Sequence, residues 1–254
     1  MAIITFLSDF GERDHYVAAV KAKILSEESS SNIVDISHHI ESCDIAHGAY
    51  VLRAVFKEFP EGSVHLVAVH SAGQPGDKFI AIKLDGHYFV GTDNGLFGLL
   101  SDNEAEEQVA INTENINTSF PAKQVFAATA AKLAKGVALK EIGTPITQFK
   151  KSLGRHLKAT KSLISGHVIR VDHYGNLITN IDKHTFDILS EQKTFNITFG
   201  RENSRYILDN QNKADAGDIF VIFNDQKYLE IGINQGNASE LLGLGYDSPV
   251  MIRF

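Results

Sequence analysis

The chain has 254 residues, 43% of them hydrophobic and 22% charged, which is typical of a soluble globular protein with one large or two smaller domains. Its net charge of -7 argues against a nucleic-acid partner, because such proteins usually carry a basic face. The single cysteine, Cys43, excludes an internal disulfide and fits a cytoplasmic location, and no apolar run approaches the ~20 residues of a membrane span.

The first half of the sequence alternates between strand and helix patterns. Short apolar runs predict buried strands, and apolar residues at helical spacing predict helices between them. The predicted strands are Ile3–Leu7, Ile33–Ile36, Val64–Val69, Phe79–Leu84 and His87–Gly91, and the predicted helices are Tyr16–Leu25, Ile45–Phe59 and Val125–Leu133. This order predicts a three-layer α/β domain over residues 1–147, with helices on both faces of a mostly parallel sheet.

The pattern changes in the second half. Residues 148–164 are basic and weakly apolar, and we interpret them as a solvated linker between domains. Residues 165–254 contain short strand-like runs separated by turn residues. These runs are His167–Val171, Leu177–Ile181, Phe195–Phe199, Ile219–Phe223, Tyr228–Ile233 and Val250–Phe254. They predict a small all-β domain, either a barrel or a sandwich, of which we favour the barrel.

A carboxylate follows the first predicted strand. Asp9 stands in Leu-Ser-Asp-Phe-Gly, where the strand breaks into a turn. Ligands of α/β folds bind at this end of the strands, where an acidic residue can accept hydrogen bonds from two ribose hydroxyls. Asp is also a good N-cap for a following helix, and the residues alone leave these two roles open.

A second candidate segment opens the predicted β domain. In Asp172-His-Tyr174-Gly-Asn176, the carboxylate suits an ammonium group, the ring suits stacking on a purine, and the amide suits the edge of a purine. Tyr-Gly-Asn is equally good material for a tight hairpin turn. On the residues alone, the turn is the favoured interpretation.

Together these segments resemble the S-adenosylmethionine (SAM) hydroxide adenosyltransferases, or SAM hydrolases, relatives of the fluorinating and chlorinating enzymes. Further stretches carry the resemblance over nearly the whole chain: residues 14–17, 33–38, 89–97 and 231–243. The resemblance implies that Asp9 binds ribose, that Asp172 binds the methionine part, and that Tyr174 and Asn176 bind adenine. It also implies a homotrimer with SAM or adenosine bound between subunits.

The sequence departs from the family at the residues that surround the attacking water. The hydrolases are associated with an Asp and an Arg in a loop after the third strand, and with a His in a later segment. Here His70 stands at the Asp position, Asp77 at the Arg position and Pro121 at the His position. The hydroxyls that the halogenases place near the halide are not supplied, since Gly73 and Ala122 occupy those positions.

Three functions follow, and we favour the first. In the first, His70 and Asp77 form a new catalytic pair in which a neutral imidazole activates water and a carboxylate orients it, giving adenosine and methionine. In the second, catalysis is lost and the protein binds SAM or adenosine without turnover. Halide attack is the least favoured. His15, His38 and His39 complete no ligand set with Cys43 or a carboxylate cluster, so we predict no metal.

Overall fold

The computed structural model describes residues 3–113, 118–152, 157–191 and 193–254. The chain divides into two compact units, Met1–Gly154 and Arg155–Phe254. Each unit has its own hydrophobic core. Within the described ranges, no helix is both long enough and apolar enough to cross a membrane.

The described part of the first unit alternates between strands and helices, as the apolar periodicity predicts. Its elements are β1 (Ile3–Ser8), α1 (Tyr16–Glu27), β2 (Asn32–Ser37), α2 (Ile45–Val55), β3 (Val64–Ala68), β4 (Phe79–Leu84), β5 (His87–Thr92), β6 (Glu107–Ile111), α3 (Ala127–Ala134), α4 (Leu139–Ile142) and β7 (Gly143–Pro145). A π-helical turn, Ala122–Phe126, leads directly into α3.

The sheet of the first unit has the strand order β2-β1-β3-β5-β4-β6-β7. The pairings β1–β2, β1–β3 and β3–β5 are parallel, whereas β4–β5, β4–β6 and β6–β7 are antiparallel. The prediction of a mostly parallel sheet is therefore not confirmed, and the sheet is mixed. The cause is the tight turn Asp85-Gly86, which returns the chain as a hairpin and reverses the strand direction.

The two faces of this sheet are covered by different helices, because successive strand residues point to opposite sides. On one face, Ile4 and Phe6 of β1 belong to a cluster with residues of α1 and α3. On the other face, Leu7 packs in a cluster with residues of α2, including the fully buried Leu52. The sheet is thus sandwiched between helices, and the ends of its strands are left for loops.

The described part of the second unit is dominated by strands. Its elements are β8 (Lys158–Thr160), β9 (Leu163–Val171), β10 (Leu177–Asp182), α5 (Lys183–Ser190), β11 (Asn196–Phe199), β12 (Glu202–Ser204), β13 (Ile219–Phe223), β14 (Tyr228–Ile233), α6 (Ala238–Leu242) and β15 (Pro249–Arg253). The strands form one antiparallel sheet in the order β12-β11-β15-β9-β10-β14-β13, with β8 added to β9.

This second sheet is nearly barrel-like and encloses its own core, but the unit is not all-β. Two helices, α5 and α6, interrupt the strands, and the strand patterns did not predict them. Each helix begins at a polar cap: Asp182 accepts a hydrogen bond from the Thr185 amide at 2.7 Å, and Asn237 accepts one from the Glu240 amide at 3.1 Å. Local capping therefore decides these short helices.

The segment 148–164, interpreted as a linker, is divided between the units. Residues up to Ser152 pack on the first unit, where an added Cβ at Gly98 would lie only 2.8 Å from the Lys151 Cα. Residues Lys158–Thr160 pair with β9 in the second unit. Residues 153–156, including the Arg155 and His156 of the predicted basic stretch, lie outside the described residues.

Candidate functional site

The carboxyl ends of four parallel strands meet at one edge of the first sheet. β1, β2, β3 and β5 end there, and Asp9 follows β1 directly. β1 lies between β2 and β3. The chain therefore runs from β1 to β2 on one side and then crosses to β3 on the other side of β1. Such a reversal of strand order opens a crevice at the strand ends, which is where open α/β sheets bind ligands.

Asp9 joins two loops that are distant in sequence. Its Oδ2 atom accepts hydrogen bonds from the backbone amides of Cys43 at 2.9 Å and His70 at 3.0 Å. Its Oδ1 atom has no partner among the residues that the structure describes. Asp9 does not cap α1, because His15 occupies the N-cap position. The half-buried carboxylate thus keeps one oxygen for a ligand.

The two residues that donate to Asp9 both have left-handed backbone conformations. The φ angle is 60° at Cys43 and 48° at His70, values that few residues other than glycine adopt. Such strain concentrates at functional sites, where surrounding contacts must hold it in place. The bonds to Asp9 are such contacts, so the carboxylate also fixes the start of the His70 loop.

A buried histidine, His38, packs against the Asp9 turn and stabilises it. The His38 Nδ1 atom lies 2.8 Å from the Ser8 Oγ atom, and the Gly11 amide donates to the His38 carbonyl at 2.8 Å. The His38 Nε2 atom is 3.1 Å from Asp35. Burial lowers the pKa of His38, and Asp35 partly opposes this change. Neutral His38 therefore forms hydrogen bonds with residues on both sides of the Asp9 turn, Ser8 and Gly11.

The loop 70–77 holds the predicted catalytic pair, but its two members do not contact each other. Within the described residues, His70 and Asp77 share neither a hydrogen bond nor an ion pair. The Asp77 carboxylate instead forms an ion pair with Lys150 and accepts a hydrogen bond from the Gln74 amide at 3.0 Å. The Lys150 ammonium and the Gln74 amide lower the pKa of Asp77.

The loop after β5 braces the same region. Thr92 donates its hydroxyl to the Ser71 carbonyl at 2.7 Å, and the Asn94 side chain donates to the Val69 carbonyl at 3.0 Å. Asp93 is buried and accepts a hydrogen bond from the Lys150 amide at 2.7 Å. The loop after β3 is therefore held by the loop after β5 and by the segment at Lys150.

An aromatic cluster lies beside the Asp9 turn. Phe10 is 5.7 Å from both Tyr16 and Phe120, measured between ring centroids, and Tyr16 and Phe120 are 5.4 Å apart. Pro121 follows Phe120 and begins the π-helical turn. π-helical turns occur frequently at functional sites, and this one brings residues 119–122 next to the turn.

In the second unit, Asp172 closes a tight turn on itself. Its Oδ1 atom accepts hydrogen bonds from the amides of Tyr174 at 2.9 Å and Asn176 at 2.8 Å, and its Oδ2 atom accepts one from the Asn176 side chain at 3.0 Å. Gly175 has a φ angle of 84° and no room for a side chain, since a Cβ would lie 2.0 Å from the Asn237 Oδ1 atom. The turn interpretation is therefore correct as a description of the local structure.

This turn borders a cleft of about 510 Å³ in the second unit. Five carboxamide side chains line the cleft, while no charged side chain does so in the described part of the unit. The lining residues are Tyr174, Asn176, Gln211, Phe220, Ile233, Asn234, Gln235, Gly236 and Asn237. The amide-rich, uncharged lining suits a flat, neutral, polar group such as a nucleobase, because carboxamides both donate and accept hydrogen bonds.

The sequence interpretation missed Lys150. It was assigned to a solvated linker, yet it contacts two carboxylates of the first unit. The sequence held one indication of this contact, the glycines Gly95 and Gly98 after Asp93. They allow the segment that contains Lys150 to approach closely. Across the described ranges, no group of three or more His, Cys, Asp or Glu side chains is placed to hold a metal ion.

These features define an α/β unit with a ligand-binding edge and a β-rich unit with an uncharged cleft. Residues 4–143 match the family model of the SAM hydroxide adenosyltransferase N-terminal domain, and residues 166–251 match that of the C-terminal domain. The chain belongs to the SAM hydroxide adenosyltransferase family, which confirms the family predicted from the sequence.

The similarity to known relatives extends over the whole chain. The (R)-S-adenosyl-L-methionine hydrolase of Methanocaldococcus jannaschii is 31% identical over 98% of this chain and 95% of its own length. A fluorinase of an Actinoplanes species is 27% identical over 71% of this chain and 72% of its own. The crystal structure of an uncharacterized conserved protein from Thermotoga maritima has a TM-score of 0.90 at 28% identity, covering 99% of this chain and 100% of that one.

Proposed function

We propose that this protein is an enzyme that hydrolyses SAM to adenosine and methionine. The observation that carries the proposal is Asp9, a carboxylate at the strand-order reversal of an α/β sheet with one oxygen left for a ligand. The family membership and the hydrolase names of full-length relatives support the same reaction.

Both units supply binding groups in this proposal. Asp9 accepts hydrogen bonds from the ribose hydroxyls through its Oδ1 atom. Asn176, whose side-chain nitrogen is already committed to Asp172, presents its Oδ1 atom to the adenine amino group. Tyr174 is 75% exposed in the single chain and stacks on the base. Asp172 keeps a lone pair on Oδ2 for the methionine ammonium.

His70 acts as the general base for water. The oxygen of water forms a bond to the ribose C5′ atom, and the C5′–S bond breaks with its electron pair going to the sulfonium sulfur, which leaves as neutral methionine. The water proton goes to the His70 ring. Asp77, paired with Lys150, shapes the His70 loop in this mechanism. Attack opposite the leaving sulfur inverts the configuration at C5′.

We further propose that the protein is a cytoplasmic homotrimer with sites between subunits. The resemblance to the family supports this assembly, and the single exposed cysteine is compatible with a reducing compartment. The names of the hydrolase relatives point to the (R)-sulfonium epimer as substrate. Sedimentation velocity with and without SAM tests the trimer, and separate incubation with each epimer tests the substrate.

A second candidate function is SAM binding without turnover. It is favoured by one observation, the lack of a bond between His70 and the carboxylate of Asp77, which instead pairs with Lys150. In that case the protein binds SAM or adenosine and releases it unchanged.

One experiment separates the two functions. The purified protein is incubated with SAM, and adenosine and methionine are quantified by mass spectrometry. We expect turnover that falls by about 100-fold or more in His70→Gln, the usual range for loss of a general base. His184→Gln, at an exposed histidine of α5, is the matched control and keeps full activity. Intact SAM with measurable binding supports the second function, and wild-type turnover in His70→Gln refutes the role of His70.

A further inference from the structure

Lys150 contacts two carboxylates of the first unit at once. Its side-chain ammonium pairs with the Asp77 carboxylate, and its backbone amide donates to Asp93 at 2.7 Å. The Asp77 side chain is only 5% exposed, whereas that of Lys150 is 55% exposed. The lysine therefore reaches from the surface to a carboxylate that is almost fully buried.

The covered carboxylate belongs to the same loop as His70. The Gly73 amide donates to the His70 carbonyl at 3.0 Å, and Asp77 packs against Gly73, where an added Cβ would lie 3.0 Å from the Asp77 Cβ. His70 and Asp77 are close enough to interact electrostatically, although they share no bond. The Lys150–Asp77 ion pair thus involves the same loop as the proposed base.

The charges that surround this loop come from four elements. Asp9 approaches from β1 through the His70 amide, Asp93 lies behind the loop after β5, Asp77 lies in the loop itself, and Lys150 enters from the segment before the second unit. Lys150 contacts two of these three carboxylates, and the exposed Lys78 follows Asp77 in the chain. Loss of Lys150 therefore removes the counter-charge that contacts the Asp77 carboxylate.

We propose that Lys150 is a positioning residue that holds the Asp77 carboxylate away from the His70 ring, so that His70 works as a base without a carboxylate partner. The activity part of this proposal rests on the proposed function. Without Lys150, the Asp77 charge is no longer neutralised and is free to turn toward the ring. A nearby carboxylate favours the charged imidazolium, which is not a base.

The predicted effects of two single substitutions have opposite signs. Lys150→Met leaves Asp77 uncompensated, so the titration midpoint of the His70 ring rises. Asp77→Asn leaves the lysine uncompensated, so the midpoint falls. The double variant Lys150→Met/Asp77→Asn removes both charges and returns the midpoint close to that of the wild type. A purely structural role of Lys150 predicts that both single variants shift the His70 midpoint in the same direction. It also predicts that the double variant does not return the midpoint to the wild-type value.

The test is a double-mutant cycle read by NMR on the full chain. The His70 ring signal is assigned by its absence in His70→Gln and followed from pH 5 to 9. Lys151→Met is the matched control, since Lys151 is the exposed neighbouring lysine, and it leaves the midpoint unchanged. An unchanged midpoint in Lys150→Met, or shifts of the same sign in both single variants, overturns the proposal.

The same variants separate this proposal from the proposed function. The NMR midpoint needs no turnover, so midpoints that move as predicted in a protein that leaves SAM intact support Lys150 and refute hydrolysis. Where SAM is hydrolysed, the acid limb of the kcat profile moves to higher pH in Lys150→Met and recovers in the double variant. If SAM is hydrolysed normally and the His70 midpoint is the same in all variants, the result supports the reaction and refutes the role of Lys150.

Discussion

Two aspartates at strand ends, Asp9 in the first unit and Asp172 in the second, look alike in sequence and differ in the structure. Asp9 accepts hydrogen bonds from residues 34 and 61 positions away in the chain, through one oxygen. Asp172 accepts three hydrogen bonds from residues within four positions, through both oxygens. One carboxylate assembles distant loops, whereas the other stabilises its own turn.

The difference shows how each unit builds its part of the candidate site. In the first unit, the geometry depends on tertiary contacts between loops, including two strained backbones at Cys43 and His70. In the second unit, the cleft depends on local turns and caps, such as the bonds of Asp172 and Asn237. Substitutions in the first unit should therefore damage more of the site than equivalent substitutions in the second.

The largest effect is expected for Asp9→Ala. It removes a ligand contact and leaves the amides of Cys43 and His70 without their acceptor, so SAM affinity falls by about 2–3 kcal/mol, or on the order of 30- to 150-fold. Asp172→Ala removes one proposed ligand contact and opens only a local turn, so it costs about tenfold. Isothermal titration calorimetry measures both, with the exposed Asp102→Ala as control. Equal losses at Asp9 and Asp172 would contradict the comparison.

A second contrast concerns the protonation of buried side chains in the two units. The first unit buries His65, whose Nδ1 atom lies 2.7 Å from the Thr5 hydroxyl and whose Nε2 atom lies 3.2 Å from His87. Burial lowers the pKa of His65 to about 3. The unfolded chain takes up this proton near pH 6.5 and the folded chain does not, so the stability is complete above pH 6.5 and declines as the pH falls toward 3.

We therefore expect the first unit to lose about 2 kcal/mol of unfolding free energy between pH 7 and pH 5 from this histidine. The pKa of His87 is lowered by burial as well and adds to the loss. Urea denaturation, monitored through hydrogen exchange of the backbone amides in β1, β3 and β5, measures this loss of unfolding free energy. A free energy of unfolding that stays constant over this range would show that these histidines titrate normally in the fold.

The sequence predicts the parts of the molecule that depend on local patterns. Strand β1 and helices α1 and α2 follow from periodicity, and the Asp85-Gly86 hairpin follows from turn chemistry. The antiparallel pairings of β6 with β4 and of β7 with β6 do not, because they are decided between distant segments. The ion pair of Asp77 with Lys150 was missed for the same reason, since 73 positions separate the two residues.

The candidate site divides along the same line. Asp9, Asp172, Tyr174 and Asn176 were predicted because each stands in a recognisable segment near a glycine, and their roles stay predictions. The left-handed backbones of Cys43 and His70 carry no such signal, since positive φ is uncommon in residues other than glycine. A histidine followed seven residues later by an aspartate gave no information on whether the two side chains meet.

A smaller effect is expected at the caps of the second unit. Asn237→Ala removes the cap of α6 beside the cleft and should cost about 1 kcal/mol of unfolding free energy. Thermal unfolding of the full chain, compared with Asn237→Asp, which retains a capping oxygen, isolates the cap. A loss of the same size in Asn237→Asp would mean that the amide group contributes through other contacts.

The smallest effect is expected at Glu230, and its pH dependence is opposite to that of His65. Burial raises the pKa of this carboxyl group in β14. A raised folded pKa contributes stability at low pH that is lost as the pH rises through it. Glu230→Gln should therefore stabilise the second unit slightly at pH 8 and not at pH 4. Denaturation curves at the two pH values test this, and equal effects at both would contradict it.

The most direct test of the central claim uses water labelled with the heavy oxygen isotope 18O. SAM is incubated with the protein in labelled water, and the adenosine and methionine are examined by mass spectrometry. Attack of water at C5′ predicts one 18O atom in adenosine, at the 5′ hydroxyl, and none in methionine, with the labelling rate sharply reduced in His70→Gln. SAM recovered intact, or adenosine without the label, would contradict hydrolysis at this site.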